Sequence, residues 1–332
     1  MPRPRRPFRV STVRTLPPLL LLLLLSCDRP PEPPAGVSHR QAMRDFVINL
    51  SAAARDRDPD FIVIPQNGQE LVTATGEPDG TAAADYLAAI DGSGREDLFY
   101  GYDRDDRPTP DAERDYLLAL CLRFREEGKT VLVTDYCATP DHVDRSYALN
   151  ADYGFPSFAA DRRALDHVPA YPAAPYAVHT GNVTRLADAR NFLYLLDGDA
   201  YPGRAAYLDA LAATDYDLLL LDLYQGGTPL TAAETARLRT KAGGGTRLLV
   251  CYLSIGEAED YRYYWQPDWR RGRPEWLERE NPDWEGNYKV RYWDPAWQRI
   301  IYGDADSYLA RIQAAGFDGV YLDIVDAFEY FE

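Results

Sequence analysis

Lysine is almost absent from this chain: only Lys129, Lys241 and Lys289 occur among 36 basic residues. Acids outnumber bases, with 52 Asp and Glu residues and a formal charge of −16. Such a surface repels a polyanion, so nucleic acid is excluded as a partner. It suits a cationic partner, high solubility or a salty habitat. Cysteine is equally scarce. Beyond Cys27 there are Cys121, Cys137 and Cys251, an odd number at spacings unlike those of a metal site. They read as buried free thiols, and the fold does not depend on disulfides. The four histidines, His39, His142, His167 and His179, are scattered. No catalytic zinc is implied, and neither a metal nor any other cofactor is expected. No glycine-rich phosphate loop follows any strand-like run, which argues against an open dinucleotide-binding sheet. Only one long leucine run exists, Leu16 to Leu25, and it is too short to span a bilayer comfortably.

That run is preceded by Arg3, Arg5, Arg6, Arg9 and Arg14, the pattern of a secretory signal peptide over residues 1–26. Leu24-Leu25-Ser26-Cys27 resembles a bacterial lipobox, which makes Cys27 the expected lipidation site. A plain secretory peptide is the alternative. Residues 27–38 then form a proline-rich spacer that would hold a soluble domain off a membrane surface. The expectation is an exported lipoprotein on the periplasmic face or cell surface, touching the membrane through the lipid alone. Removal of the five arginines takes the charge from −16 to −21.

The remainder, 39–332, reads as an α/β domain. Eight short apolar runs alternate with helical stretches: Phe61–Ile64, Leu98–Tyr102, Thr130–Tyr136, Gly154–Ala159, Asn191–Leu196, Tyr216–Leu223, Leu248–Leu253 and Gly319–Ile324. Continuous apolar character fits strands buried on both faces. Asp111 opens a helix with acids at its start, and Gly128 closes it. Thr231-Ala232-Ala233-Glu234 is a capping box. Eight β-then-α units predict a single, monomeric (β/α)8 TIM barrel.

Two strands end in chemistry. Leu248–Leu253 runs into Ser254-Ile255-Gly256-Glu257-Ala258-Glu259-Asp260-Tyr261-Arg262, and Gly319–Ile324 carries Asp323 with Asp326 just beyond. Acids and aromatics at strand C-termini are how a parallel barrel builds a sugar site. Glycosidic cleavage uses two carboxyl groups, one protonating the leaving oxygen and one attacking or activating water.

Three segments, Tyr252–Trp265, Asn281–Asp294 and Gly316–Asp326, closely resemble glycoside hydrolase family 114, the endo-α-1,4-polygalactosaminidases and relatives. The resemblance implies a TIM barrel that cleaves an α-linked, amine-bearing galactosamine polysaccharide. Phe61–Gly68, Ile90–Tyr100 and Val131–Tyr136 resemble segments that follow the Leu322-Asp323 strand in that family, yet here they precede it. The chain is therefore expected to be circularly permuted. Residues 39–170 would be the family's second half, 171–188 a linker and 189–332 its first half. By the resemblance Asp323 is nucleophile or base and Glu96 the general acid of a retaining mechanism, with Glu257 the main rival. Asp222, Asp326, Asp135, Tyr224, Tyr252, Tyr261, Arg262 and Trp293 are candidates for substrate binding. Arg262 is expected to pair with and orient a neighbouring acid. A non-catalytic carbohydrate-binding lipoprotein on the same scaffold is the competing expectation.

Overall fold

A computed structural model describes residues 31–332; the expected signal peptide and Cys27 lie outside the described residues. Eight short strands run parallel: β1 (Ile62–Pro65), β2 (Gly92–Glu96), β3 (Thr130–Tyr136), β4 (Ser157–Ala160), β5 (Leu193–Leu195), β6 (Leu218–Leu221), β7 (Leu248–Ser254) and β8 (Gly319–Asp323). They form a five-stranded sheet ordered β1-β8-β7-β6-β5 and a three-stranded sheet ordered β2-β3-β4. Single parallel bridges connect the sheets at both edges, Gln66 to Gly94 and Ser157 to Asn191. The result is a mixed α/β architecture with a parallel central sheet, consistent with a TIM-like fold. The first and last strands pair as expected, Ile62 opposite Gly319 and Pro65 opposite Leu322.

Leu-, Val- and Ile-rich runs became strands because both faces are buried. In β6 all four leucines are buried between the neighbouring strands and the helices. One expectation fails: Leu98–Tyr102 is not a strand. The strand is Gly92-Ser93-Gly94-Arg95-Glu96, which has no apolar side chain. Its glycines are required by crowding. A Cβ on Gly94 would lie 1.9 Å from the Tyr321 hydroxyl oxygen, and one on Gly92 would lie 2.6 Å from the Thr130 carbonyl oxygen. Leu98, Phe99 and Tyr100 are buried in the loop that follows.

The helices pack outside. Ser38 caps α1 (His39–Arg55) by accepting from the Gln41 amide. Acids start α2 (Asp111–Glu126), and the capping box of Thr231 and Glu234 opens the helix Ala232–Leu238 as expected. The segment around His179 is tied down by a buried cluster at the N-terminal side of β6. Lys241 Nζ donates to Asp217 and to the His179 carbonyl, while His179 Nε2 lies 2.9 Å from Asp217. After β7 the chain leaves the parallel sheet and builds an antiparallel one from Glu257–Glu259, Leu277–Glu280 and Asn287–Val290. Among the described residues no helix is long and apolar enough to cross a membrane, and Cys121, Cys137 and Cys251 are buried free thiols.

Candidate active site

Alternation along a strand sends successive side chains to opposite faces. The register carries one face across the strands: Tyr252 opposite Tyr321, Ile64 opposite Tyr321, Gln66 opposite Gly94, and Glu96 opposite Thr134. Glu96, Tyr136 and Asp323 all stand on this face, each the last residue of its strand.

Glu96 sits in a cradle of donors. Gln66 Nε2 donates to Oε2 at 2.6 Å and Asn67 Nδ2 to the same oxygen at 3.1 Å. The Tyr136 hydroxyl donates to Oε1 at 2.5 Å. Asn67 takes a left-handed backbone (φ 57°), and its side-chain oxygen also accepts the Glu96 amide. Gln66 is held in turn by the Tyr194 hydroxyl, which donates to its oxygen at 3.0 Å. Three donors on two oxygens hold the carboxyl group in one orientation.

Asp323 has fewer partners. The Tyr252 hydroxyl donates to Oδ2 at 2.8 Å. Burial, and then the neighbouring Glu96 charge, push its carboxyl well above the usual range, against the pull of Tyr252. Two like charges in one recess resist joint ionisation, so the pair favours holding one proton. The next residue, Ile324, is β-branched yet left-handed (φ 58°), a strained conformation of the kind that gathers at functional sites. Asp326 follows in the turn; burial and the Glu329 charge push it up to about 7 although Arg95 and Lys289 oppose them.

A second cluster lies past β6 and β7. Arg262 makes a two-pronged pair with Asp222, at 2.9 and 2.7 Å, and its Nε donates to Glu259 at 2.6 Å. Arg262 thus pairs with two neighbouring acids. Tyr261 donates to Glu259 and stays 62 % exposed, with Arg262 5.1 Å from its ring centre. The Tyr224 amide donates to Asp222, and its ring packs near Tyr263 and Tyr308.

Three expected residues are otherwise engaged. Asp135 alternates to the outer face of β3 and is fully buried. It accepts from the Phe99 and Tyr100 amides, Ser146 and Asn150, so it anchors a loop and a helix and is closed to substrate. Glu257 is also fully buried, bound by Asn281 at 2.8 Å, Asn287 at 3.3 Å and Lys289 at 2.8 Å. Its carboxylate pins the antiparallel sheet. Trp293 is held against His39 and Phe331, with ring centres 5.3 and 4.8 Å away. Gln66, Asn67 and Glu259 were not expected in the site. The only signal for the amides was their position directly after an apolar run.

Two carboxylates from strand ends, one cradled and one buried beside it, are what a glycosidase site requires. Residues 173–332 match glycoside-hydrolase family GH114. The GH114 match covers β5 to β8, including Asp323 and Arg262; Glu96 and β1 to β4 lie outside it. An uncharacterised protein of Methanocaldococcus jannaschii is 43 % identical over 152 residues, 45 % of this chain and 41 % of that one. One of Deinococcus radiodurans is 47 % identical over 123 residues, 37 % of each chain. One of Thermotoga maritima is 37 % identical over 120 residues, 36 % of each chain. The chain thus spans about two fifths of the length of the curated relatives it matches. The GH114 match supports a glycoside hydrolase.

Proposed function

We propose that this protein is an exported glycosidase that cleaves an α-1,4-linked, galactosamine-containing polysaccharide with Asp323 and Glu96. The observation that carries the reading is the convergence of these two carboxylates on one face, each at a strand end, with the Glu96 charge raising the Asp323 carboxyl. The two sheets, bridged at both edges, are read as one closed (β/α)8 barrel whose strand order is circularly permuted relative to GH114. Pairing of the first strand with the last supports closure, and the confinement of the GH114 match to residues 173–332 supports the permuted order. The net negative charge of the chain favours a sugar with free amines.

The surroundings argue for roles opposite to those the family resemblance implied. Glu96, held by three donors, is arranged as the nucleophile or base. Asp323, buried beside that charge, is arranged to hold the proton delivered to the leaving oxygen. Tyr252 holds Asp323 in place. Cys27 carries the lipid anchor in this reading. Cys27→Ser then moves the folded protein from the membrane to the soluble fraction; unchanged membrane association would refute the anchor.

The deciding experiment incubates the mature protein with partly deacetylated galactosaminogalactan and measures released oligomers by mass spectrometry. Release of galactosamine oligomers, abolished by Asp323→Asn, is expected. Binding without release would instead favour a non-catalytic carbohydrate-binding protein. Proton NMR of the newly formed anomeric centre separates retention, the expected outcome, from inversion.

A further inference from the structure

The loop after β4 reaches back over β2 and β3 through one side chain, Arg163. Its Nε donates to Asp105 Oδ1 at 2.5 Å. Its Nη2 donates to Asp97 Oδ1 and to the Gly101 carbonyl, both at 2.7 Å. The guanidinium carbon stands 4.0 Å from the centre of the Tyr136 ring. These are the two residues that flank Glu96. Asp97 follows it in the chain, in a left-handed conformation (φ 59°), and Tyr136 donates to its Oε1. The approach is close enough to demand glycine at residue 101, where a Cβ would fall 2.1 Å from Asp97 Oδ1. A planar cation on a phenol face fixes the ring and polarises its hydroxyl toward an acceptor.

We infer that Arg163 is a positioning residue for Glu96, acting through Tyr136. It holds the phenol ring so that the hydroxyl stays aimed at the carboxylate. Glu96 therefore depends on a loop two strands away that is distant from it in sequence. The inference rests on the reading of Glu96 as a catalytic carboxylate. The charged groups around this contact are Glu96, Asp97 and Arg95 on or beside β2, Asp105 in the loop after β2, and Arg163 itself.

The test is a double-mutant cycle on the mature protein, with Glu96→Gln as the control for the underlying reading. Arg163→Ala should lower kcat by about 10- to 100-fold while KM changes by less than about 3-fold, as for loss of an orienting contact. Arg163→Lys, which keeps a charge but not the planar fork, should fall between that variant and wild type. In a Tyr136→Phe background, where the hydroxyl is already gone, Arg163→Ala should cost less than about 3-fold. Equal losses in both backgrounds, or an Arg163→Lys variant that is folded and fully active, would overturn the inference. If Glu96→Gln keeps wild-type turnover, or the wild type has none, it is the catalytic reading that fails. Carbon-13 tyrosine NMR covers that case without substrate, with the Tyr136 signal assigned by its loss in Tyr136→Phe. That signal should shift in Glu96→Gln and in Arg163→Lys alike. No shift in Arg163→Lys would mean that the clamp does not act on the phenol.

Discussion

The proton in the Glu96–Asp323 pair is the property on which the chemistry turns. Three donors fix Glu96 in place, while burial and the Glu96 charge favour a proton on Asp323. This arrangement separates the roles by experiment. Asp323→Asn should lose roughly 100- to 10,000-fold on the polysaccharide, the usual span for a missing general acid. It should still release fluoride from an α-galactosaminyl fluoride, whose leaving group needs no proton, in a first-turnover burst that then stalls at the glycosyl-enzyme for want of a base. Glu96→Gln should be inactive on both. The opposite pattern would restore the roles that the resemblance implied. Asp323 was legible in the sequence because an acid that closes an apolar run stands out. The amides that hold Glu96 were not. Gln66 and Asn67 are ordinary strand-end residues, and their importance comes only from the Gln66–Gly94 bridge, a register no single segment encodes. Asp135 misled for a related reason. It too ends an apolar run, but it sits one residue out of phase, facing Ser146 and Asn150.

Strands buried on both faces could be read from hydrophobicity, as β3 and β7 were. The strand β2 could not, because its face is set by a neighbour's bulk. The Tyr321 ring fills the space a side chain at residue 94 would need, so the sequence there carries glycine and loses its strand signal. Gly94→Ala should therefore destabilise the protein by about 1–3 kcal/mol, the usual cost of overpacking. In a Tyr321→Leu background the same change should cost less. Denaturant titrations of the four proteins measure the difference; equal costs would show that the tyrosine is not the obstacle. The shift of β2 also matters for the site, since a strand ending at residue 96 delivers Glu96 at its C-terminal tip.

The acidic character of the whole molecule has a pH consequence. Asp97, pushed up to about 7 by burial against the opposing Arg163 charge, and Asp326, also about 7, keep protons that the unfolded chain releases near pH 4. Raised carboxyl groups contribute stability that is full below the unfolded value and is lost as pH rises through about 7. Glu234 acts in the opposite sense. The fork of Arg204 holds it down to about 2, so its contribution is lost as pH falls below about 4.5. Thermal unfolding should therefore show a maximum near pH 5 and a decline toward pH 8. Added salt should soften the decline by screening the net negative charge. Asp326→Asn should flatten the alkaline side; a Tm that rises from pH 5 to pH 8 would contradict this account. The position of β8 has another consequence, for the chain as it is made. It lies between β1 and β7, although more than 250 residues separate Ile62 from its partner Gly319. At about 5–20 residues per second, β1 waits on the order of tens of seconds during synthesis with an open edge. The nascent chain cannot close its sheet early. A chain ending at residue 317 should remain sensitive to protease, whereas one that includes β8 should become resistant in a single step.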